Sequence, residues 1–75
     1  MSNPVDVPVE GDTIRLGQFL KLANLIDSGA EAKTVVARGL VRVNDEVELR
    51  RGRQLQTGDV VALAGRTARV GQSYS

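Results

Sequence analysis

The sequence predicts an α+β fold in which two short helices pack on a small, mostly antiparallel sheet of about four to five strands. Three observations lead to this prediction. Apolar residues recur at helical spacing between positions 16 and 23, and a helix-capping pattern begins at Ser28. In the second half of the chain, apolar and polar residues alternate between turn signals. At 75 residues, the chain is one small domain that buries roughly 60% of its unfolded surface.

The N-terminal segment is expected to form either an edge strand or a mobile arm. Its valines alternate with Asp6 and Pro8, which is the period of a half-buried strand. A proline inside a strand confines that strand to the edge of a sheet. The polar C-terminus is expected to fray. The predicted parts of the chain are an edge strand or arm at 1–12, a single domain at 13–70 and a frayed tail at 71–75.

Two helices are predicted in the first half of the domain. The first runs from about Gly17 to Ala23 and buries the apolar residues at positions 16, 19, 20 and 23. The second follows Ser28, whose hydroxyl can accept from the Glu31 amide while the Glu31 carboxylate reaches back. Gly39 supplies the left-handed residue that ends this helix.

The strands after the second helix form a hairpin whose register depends on its loop. A two-residue loop would place Val43 opposite Glu46 and so mix apolar and charged side chains on one face. A three-residue loop pairs Val43 with Val47 and Arg42 with Glu48, and Val47 and Leu49 then point inward. We therefore favour the three-residue loop.

A second hairpin is predicted near the C-terminus. Thr57-Gly58-Asp59 marks a turn into an apolar strand, and this pattern favours a turn over a catalytic role for Thr57 or Asp59. Gly65-Arg66 follows as a two-residue loop with glycine in the first central position. This loop sets Leu63 opposite Ala68 and Val61 opposite Val70.

The composition excludes several classes of function. Cysteine and histidine are absent, so thiolate nucleophiles, imidazole bases and the common zinc-ligand sets are unavailable. We expect no enzyme activity, no cofactor and no metal site. The longest apolar run, residues 60–64, is far shorter than the roughly 20 residues that cross a bilayer, and no signal peptide pattern opens the chain. We therefore expect a cytoplasmic protein without membrane association.

The basic residues are concentrated after position 12. From Thr13 onward, ten basic residues stand against six acidic ones, and eight of the ten are arginine. The planar guanidinium group matches phosphate oxygens two at a time. Arg50, Arg51 and Arg53 lie within four residues of one another, in a predicted loop that contains a glycine. A solvated surface has the same composition, so charge alone leaves polyanion binding and simple solubility both open.

Three linked motifs cover about residues 14–64. They are Arg15-Leu16-x-x-Phe19-Leu20, Ser28-x-x-x-Ala32-Lys33-x-x-Val36-x-x-Gly39-x-Val41-x-Val43-Asn44 and Thr57-Gly58-Asp59-x-Val61. Together these motifs resemble the S-four, or alpha-L, RNA-binding domain in its small stand-alone bacterial form. The chain departs from the family pattern at Gly17, Gly29 and Asp45.

This resemblance implies that the two helices and the following hairpin form one RNA-facing surface. With Phe19 expected in the core and Tyr74 in the tail, there is no aromatic platform for splayed bases, so the expected partner is structured RNA. Ribosomal RNA and ribosomal particles are the candidate targets, and the protein is expected to be a monomer. The candidate RNA-binding residues are Arg15, Ser28, Lys33, Arg38, Arg42, Asn44, Arg50, Arg51 and Arg53.

An alternative hypothesis is a protein–protein interaction module. In that case the edge strand at residues 5–9 recruits a strand of the partner, and an arginine patch faces an acidic protein surface.

Overall fold

The computed structural model of the chain describes residues 4–72. It has the predicted α+β fold, with two helices and seven strands. The helices are α1 (Leu16–Leu22) and α2 (Gly29–Ala37). The strands are β1 (Val5–Val9), β2 (Thr13–Arg15), β3 (Val41–Val43), β4 (Glu46–Val47), β5 (Gln54–Gln56), β6 (Val60–Leu63) and β7 (Arg66–Gln72).

The strands form one large sheet and one small one. The five-stranded sheet has the order β1-β7-β6-β3-β4, in which only the β1–β7 pair is parallel. Strands β2 and β5 pair antiparallel in a separate sheet, which the sequence pattern does not predict. The N-terminal segment is a strand at the sheet edge, where Pro8 is tolerated. Strand β7 continues through Gln72, so the predicted tail was placed two residues too early; residues 73–75 lie outside the described part.

The core lies between the helices and one face of the large sheet. As predicted, Leu16, Phe19 and Leu20 of α1 are fully buried. Both helices contribute to the same core cluster as the inward residues of β3 and β6, so no helix among residues 4–72 covers the opposite face of the sheet. The buried apolar residues are Val9, Leu16, Phe19, Leu20, Ile26, Ala32, Val36, Val41, Val43, Leu55, Val61, Leu63, Ala68 and Val70.

Helix α2 begins and ends as the sequence indicates. The Ser28 hydroxyl accepts a hydrogen bond from the Glu31 amide at 3.4 Å. The Glu31 carboxylate reaches back to the amide of Asp27 at 2.7 Å, one residue earlier than the usual capping box. At the other end Gly39 has φ +73°, its amide donates to Val36, and the Leu40 amide donates to Val35. This is a Schellman motif, which requires a residue that tolerates the left-handed conformation.

The first hairpin has a two-residue loop, so the predicted three-residue loop is wrong. Val43 pairs with Glu46, and both loop residues, Asn44 and Asp45, have positive φ, at 52° and 71°. These values are typical of a type I′ turn, which matches the twist of the strands and which asparagine and aspartate tolerate. A contact outside the hairpin supports the turn, because the Asn44 side chain accepts from the amide of Val60 at 3.0 Å.

This register reverses the faces predicted for the following residues. Val47 pairs with Arg42 on the outer face, and Val47 and Leu49 are exposed rather than inward. Glu48 takes the inward position and is only 7% exposed. A carboxylate is tolerated there because arginines compensate its charge, as described below.

The second hairpin exists, but its loop is Ala64-Gly65 rather than Gly65-Arg66. Both loop residues have positive φ, at 54° and 79°, and Leu63 pairs with Arg66 instead of Ala68. The left-handed conformation of an alanine costs about 1–2 kcal/mol. The pairing of β7 with both β6 and β1 offsets that cost. Because the register differs by two residues, the same side chains still point inward.

Candidate nucleic-acid interface

A surface cleft of about 430 Å³ lies where α1, the start of α2 and the loop 50–53 meet. We call residues 50–53 the arginine loop. Two of the predicted binding residues, Arg15 and Arg51, line this cleft, and Lys21 joins them. The complete lining is Arg15, Gly17, Gln18, Lys21, Gly29, Ala32, Arg51 and Gly52.

Helix α1 supplies one wall of the cleft. Arg15 is its N-cap residue, and Gln18 and Lys21 follow at intervals of three along the exposed side. Residues three apart lie on the same side of a helix. Lys21 was not predicted as a binding residue, although this spacing was visible in the sequence. The helix therefore places two cations on the cleft. These are Arg15 and Lys21, and each lies about one turn from Gln18.

The arginine loop is attached to α1 through its backbone. Arg15 provides no side-chain cap for α1. Instead the amide of Leu16 donates to the carbonyl of Arg53 at 2.8 Å, and the amide of Gly17 donates to the carbonyl of Arg51 at 3.0 Å. The first amides of a helix have no acceptor within the helix, so the carbonyls of the loop accept their hydrogen bonds. The same hydrogen bonds hold the loop in place against α1. This tertiary cap explains why α1 starts one residue earlier than predicted.

Gly17 allows Arg51 to lie against the first turn of α1. A Cβ atom built at Gly17 would be 2.8 Å from Cγ of Arg51, a distance that side chains do not adopt. Gly17 is one of the departures from the family pattern noted above. In this chain the missing side chain leaves space for an arginine that lines the cleft.

The α2 side of the cleft presents small residues. Gly29 and Ala32 line it, and a Cβ at Gly29 would meet no atom within 4 Å. A phosphate group can therefore approach the first turn of α2, where backbone amides point outward. Lys33 is exposed one turn after Gly29 on the same side of α2 and extends the cationic surface. Arg38 is exposed at the opposite end of the helix.

Two of the three arginines in the arginine loop bind a buried carboxylate. Glu48 accepts from Arg50 through Nε at 3.2 Å and through the backbone amide at 3.0 Å, and from Nη1 of Arg53 at 2.9 Å. The hydrogen bond from Arg50 lowers the pKa of Glu48 to about 2, against the opposing effect of desolvation and with a further contribution from Arg53. The Arg53 side chain is 31% exposed and that of Arg50 78%. Arg53 therefore serves mainly to hold the loop, while Arg50 still presents its charge to solvent.

Besides Arg38 and Arg53, three further predicted binding residues lie away from the cleft or have structural roles. Arg42 lies on the outer face of the large sheet, opposite the helices, because its neighbours in β3 point into the core. Asn44 bonds to Asp59 and Val60 and so joins two turns. Ser28 caps α2 through its hydroxyl. Arg42 and Asn44 of the first hairpin thus do not line the cleft.

The remaining arginines bond to other parts of the domain. Arg66 donates to the carbonyl of Asn24 at 3.2 Å, and Nε of Arg69 donates to Asp6 at 2.6 Å. The hydrogen bond from Arg69 lowers the pKa of Asp6. Within residues 4–72, no cluster of three or more acidic side chains could hold a metal ion. No helix in that part of the chain is long and apolar enough to cross a membrane.

Known proteins resemble this chain over most of its length. The family model described as S4 domain matches residues 7–71, which include both helices and the arginine loop. The chain is 51% identical over 65 residues to the probable ribosome maturation protein RlbA of Bacillus subtilis (strain 168), covering 87% of this chain and 89% of that protein. It is 37% identical over 57 residues to the putative RNA-binding protein YbcJ of Escherichia coli (strain K12), covering 76% of this chain and 81% of that protein.

A solved structure shows the same fold. The solution structure of YbcJ from E. coli, described as an alfaL motif involved in RNA binding, superimposes with a TM-score of 0.70 at 33% sequence identity. The superposition covers 95% of this chain and 91% of that chain.

Proposed function

The chain belongs to the S4 domain family and is an RNA-binding module. We propose that it binds folded RNA through the cleft between α1, α2 and the arginine loop. The family resemblance predicted from the sequence motifs is confirmed. These relatives favour RNA binding over the alternative of a protein-interaction module built on the N-terminal strand.

The observation that carries this proposal is the convergence of three cations on a cleft with small residues. Arg15 and Lys21 come from α1, and Arg51 comes from a loop about thirty residues further along the chain. Guanidinium groups bind phosphate oxygens through paired hydrogen bonds, and an ammonium group binds them as a point charge. The glycines of the cleft let an RNA backbone come close enough for these contacts.

The other predicted residues take secondary roles in this proposal. We assign further phosphate contacts to Arg50, which precedes Arg51 in the arginine loop, and to Lys33, one turn after Gly29. Arg53 positions the arginine loop through Glu48. Ser28 and Asn44 support the fold around the site. Arg38 and Arg42 contribute only to the overall positive field, which steers a polyanion toward the protein.

The module recognises the shape and phosphates of folded RNA rather than unstacked bases. Phe19 is fully buried, and residues 4–72 contain no other aromatic side chain. Single-strand readers stack bases on exposed aromatic residues, and this surface offers none within the described part. We propose that the protein acts by binding alone.

We propose ribosomal RNA, in the mature or the maturing particle, as the target in the cytoplasm. The support is the identity of 51% with a protein named as a probable ribosome maturation protein. The cleft accommodates phosphate groups of any RNA, so the identity of the target rests on this relative rather than on the geometry.

A comparison of two single arginine replacements tests the cleft assignment. Arg51→Gln should weaken binding to ribosomal RNA fragments about tenfold, as expected for the loss of one charge-assisted hydrogen bond. It should also reduce the slope of log affinity against log salt by about one phosphate contact. Fluorescence anisotropy titrations at several salt concentrations measure both quantities.

Arg42→Gln is the matched control, because it removes one exposed arginine from the opposite face of the sheet. We expect its affinity to stay within about twofold of the parent, since it changes only the long-range field. If Arg42→Gln weakens binding as much as Arg51→Gln does, the cleft is not the binding site.

A further inference from the structure

Exposed apolar side chains are gathered at the β4 edge of the large sheet and are not among the residues that line the cleft. Val47 is 50% exposed and Leu49 64% exposed. Both lie beside the turn that ends α2, because a Cβ at Gly39 would be 3.7 Å from Cγ1 of Val47 and 3.9 Å from Cδ2 of Leu49. Leu40, the next residue, is also half exposed. Exposed apolar side chains that lie close together are candidates for an interaction site.

The backbone at this edge is available for strand pairing. Strand β4 is the last strand in the sheet order. The amide of Glu48 donates to the carbonyl of Val41 at 3.0 Å, so Glu48 faces β3. Strand β4 itself ends at Val47, and this hydrogen bond continues the pairing with β3 by one residue. Because backbone groups alternate in direction along paired strands, the amide and carbonyl of Val47 point away from β3 toward the open edge, and an extended Leu49 would present its own groups in the same direction. The opposite edge, β1, carries Pro8, which has no amide hydrogen to donate.

The segment Glu46–Arg50 is complementary to itself when it runs antiparallel. A two-fold axis at Glu48 sets Val47 opposite Leu49 of a second copy, on the outer face. The same axis sets Glu46 opposite Arg50 of the second copy, on the inner face. Each apolar residue thus meets an apolar one, and each flanking acid meets a cation.

The neighbouring registers match the segment less well. An axis at Val47 places Glu46 opposite Glu48, which brings two carboxylates together. An axis at Leu49 sets Glu48 opposite Arg50, but it places Val47 opposite Arg51, whose side chain lies against Gly17 of α1. The axis at Glu48 brings the two Glu48 residues together, but each already accepts hydrogen bonds from Arg50 and Arg53 of its own chain, which compensate its charge.

We propose that the segment Glu46–Arg50 pairs with the same segment of a second copy of this chain across a two-fold axis at Glu48. The two five-stranded sheets then join into one continuous sheet. The interface is much smaller than the roughly 20–30 residues per partner of a stable complex. We therefore expect a weak dimer, with a dissociation constant on the order of 100 µM. This proposal differs from the monomer expected from the sequence, and it does not depend on RNA binding.

Sedimentation equilibrium of the RNA-free protein between about 10 µM and 1 mM tests the proposal. The parent should shift from monomer to dimer across this range. Leu49→Lys should remain monomeric, because it places a cation where Val47 of the second copy would pack. Val5→Lys is the matched control, since it changes an exposed valine at the opposite edge of the sheet, and it should dimerise like the parent. A parent that stays monomeric at 1 mM, or a loss of dimer in Val5→Lys alone, overturns the proposal.

A charge exchange tests the register. Glu46→Arg and Arg50→Glu should each weaken dimerisation at least about tenfold, because each sets two like charges opposite one another twice in the dimer. The double replacement restores opposite charges across the axis and should associate at least about threefold more tightly than Arg50→Glu alone. The loss of the bond from the Arg50 side chain to Glu48 is common to these two variants and does not affect their comparison. Far-UV circular dichroism verifies that the variants are folded. A folded double variant that associates no better than either single variant contradicts the axis at Glu48.

Discussion

Replacement of Glu48 by glutamine removes a buried charge while it keeps the size of the side chain. The carboxylate accepts three hydrogen bonds from Arg50 and Arg53, and these bonds hold the arginine loop. The difference between the ordinary pKa of 4.5 and the folded-state pKa of about 2 corresponds to about 3 kcal/mol of stability at neutral pH. Because the Arg50 side chain is mostly exposed, solvent screening reduces the expected effect to about 1–2 kcal/mol.

The pH dependence of this contribution has a definite sign. In the unfolded chain the Glu48 carboxyl group binds a proton near its ordinary pKa of 4.5, whereas in the folded protein it does so only near 2. Between these values the unfolded state binds more protons, so acid favours unfolding. The stabilisation is therefore complete well above pH 4.5 and disappears as the pH falls through about 2.

Urea unfolding followed by circular dichroism at several pH values measures this effect. The free energy of unfolding of the parent should exceed that of Glu48→Gln by about 1–2 kcal/mol at pH 7, and the difference should shrink steadily below about pH 4.5. Glu46→Gln is the control, because Glu46 is exposed and lies two residues away in the same segment; it should change stability by less than about 0.5 kcal/mol. A difference between parent and Glu48→Gln that is the same at pH 7 and at about pH 2.5 would refute the assignment of Glu48 as a stabilising carboxylate.

Two further replacements separate binding from stability. Gly17→Ala would bring a methyl group against Arg51. RNA affinity in anisotropy titrations should therefore fall about threefold to tenfold, while the temperature of thermal unfolding changes little. Unchanged affinity would show that the position of Arg51 does not matter for binding. Asn44→Ala removes the bonds to Asp59 and Val60 and leaves an alanine at positive φ, so the free energy of unfolding should fall by about 2 kcal/mol with RNA affinity retained in the folded protein. A loss of affinity without a loss of stability would instead assign Asn44 to the RNA site.

The sequence by itself determined the features that depend on neighbouring residues. Helix α2 begins at the Ser28 cap and ends at Gly39, because both signals act within four residues of the helix. The apolar face of α1 follows from helical periodicity in the same way. The motifs along residues 14–64 also identified the family, since they combine several such local signals at characteristic spacing.

The tertiary structure decided which residues meet, because those contacts join distant parts of the chain. The registers of both hairpins depend on partners outside the hairpins, such as the bond from Val60 to Asn44 and the pairing of β7 with β1. Glu48 is inward only because Arg50 and Arg53 compensate its charge, which an apolar-inward pattern does not foresee.

The composition of the cleft was decided in the same way. The arginine loop reaches the cleft because it accepts hydrogen bonds from the first amides of α1, and these amides have no partner within their own helix. This contact brings Lys21 together with Arg51, while the alternation of side chains along β3 sends Arg42 to the opposite face. The sequence thus determined that the surface is cationic, and backbone contacts between distant segments determined which of the cations share a site.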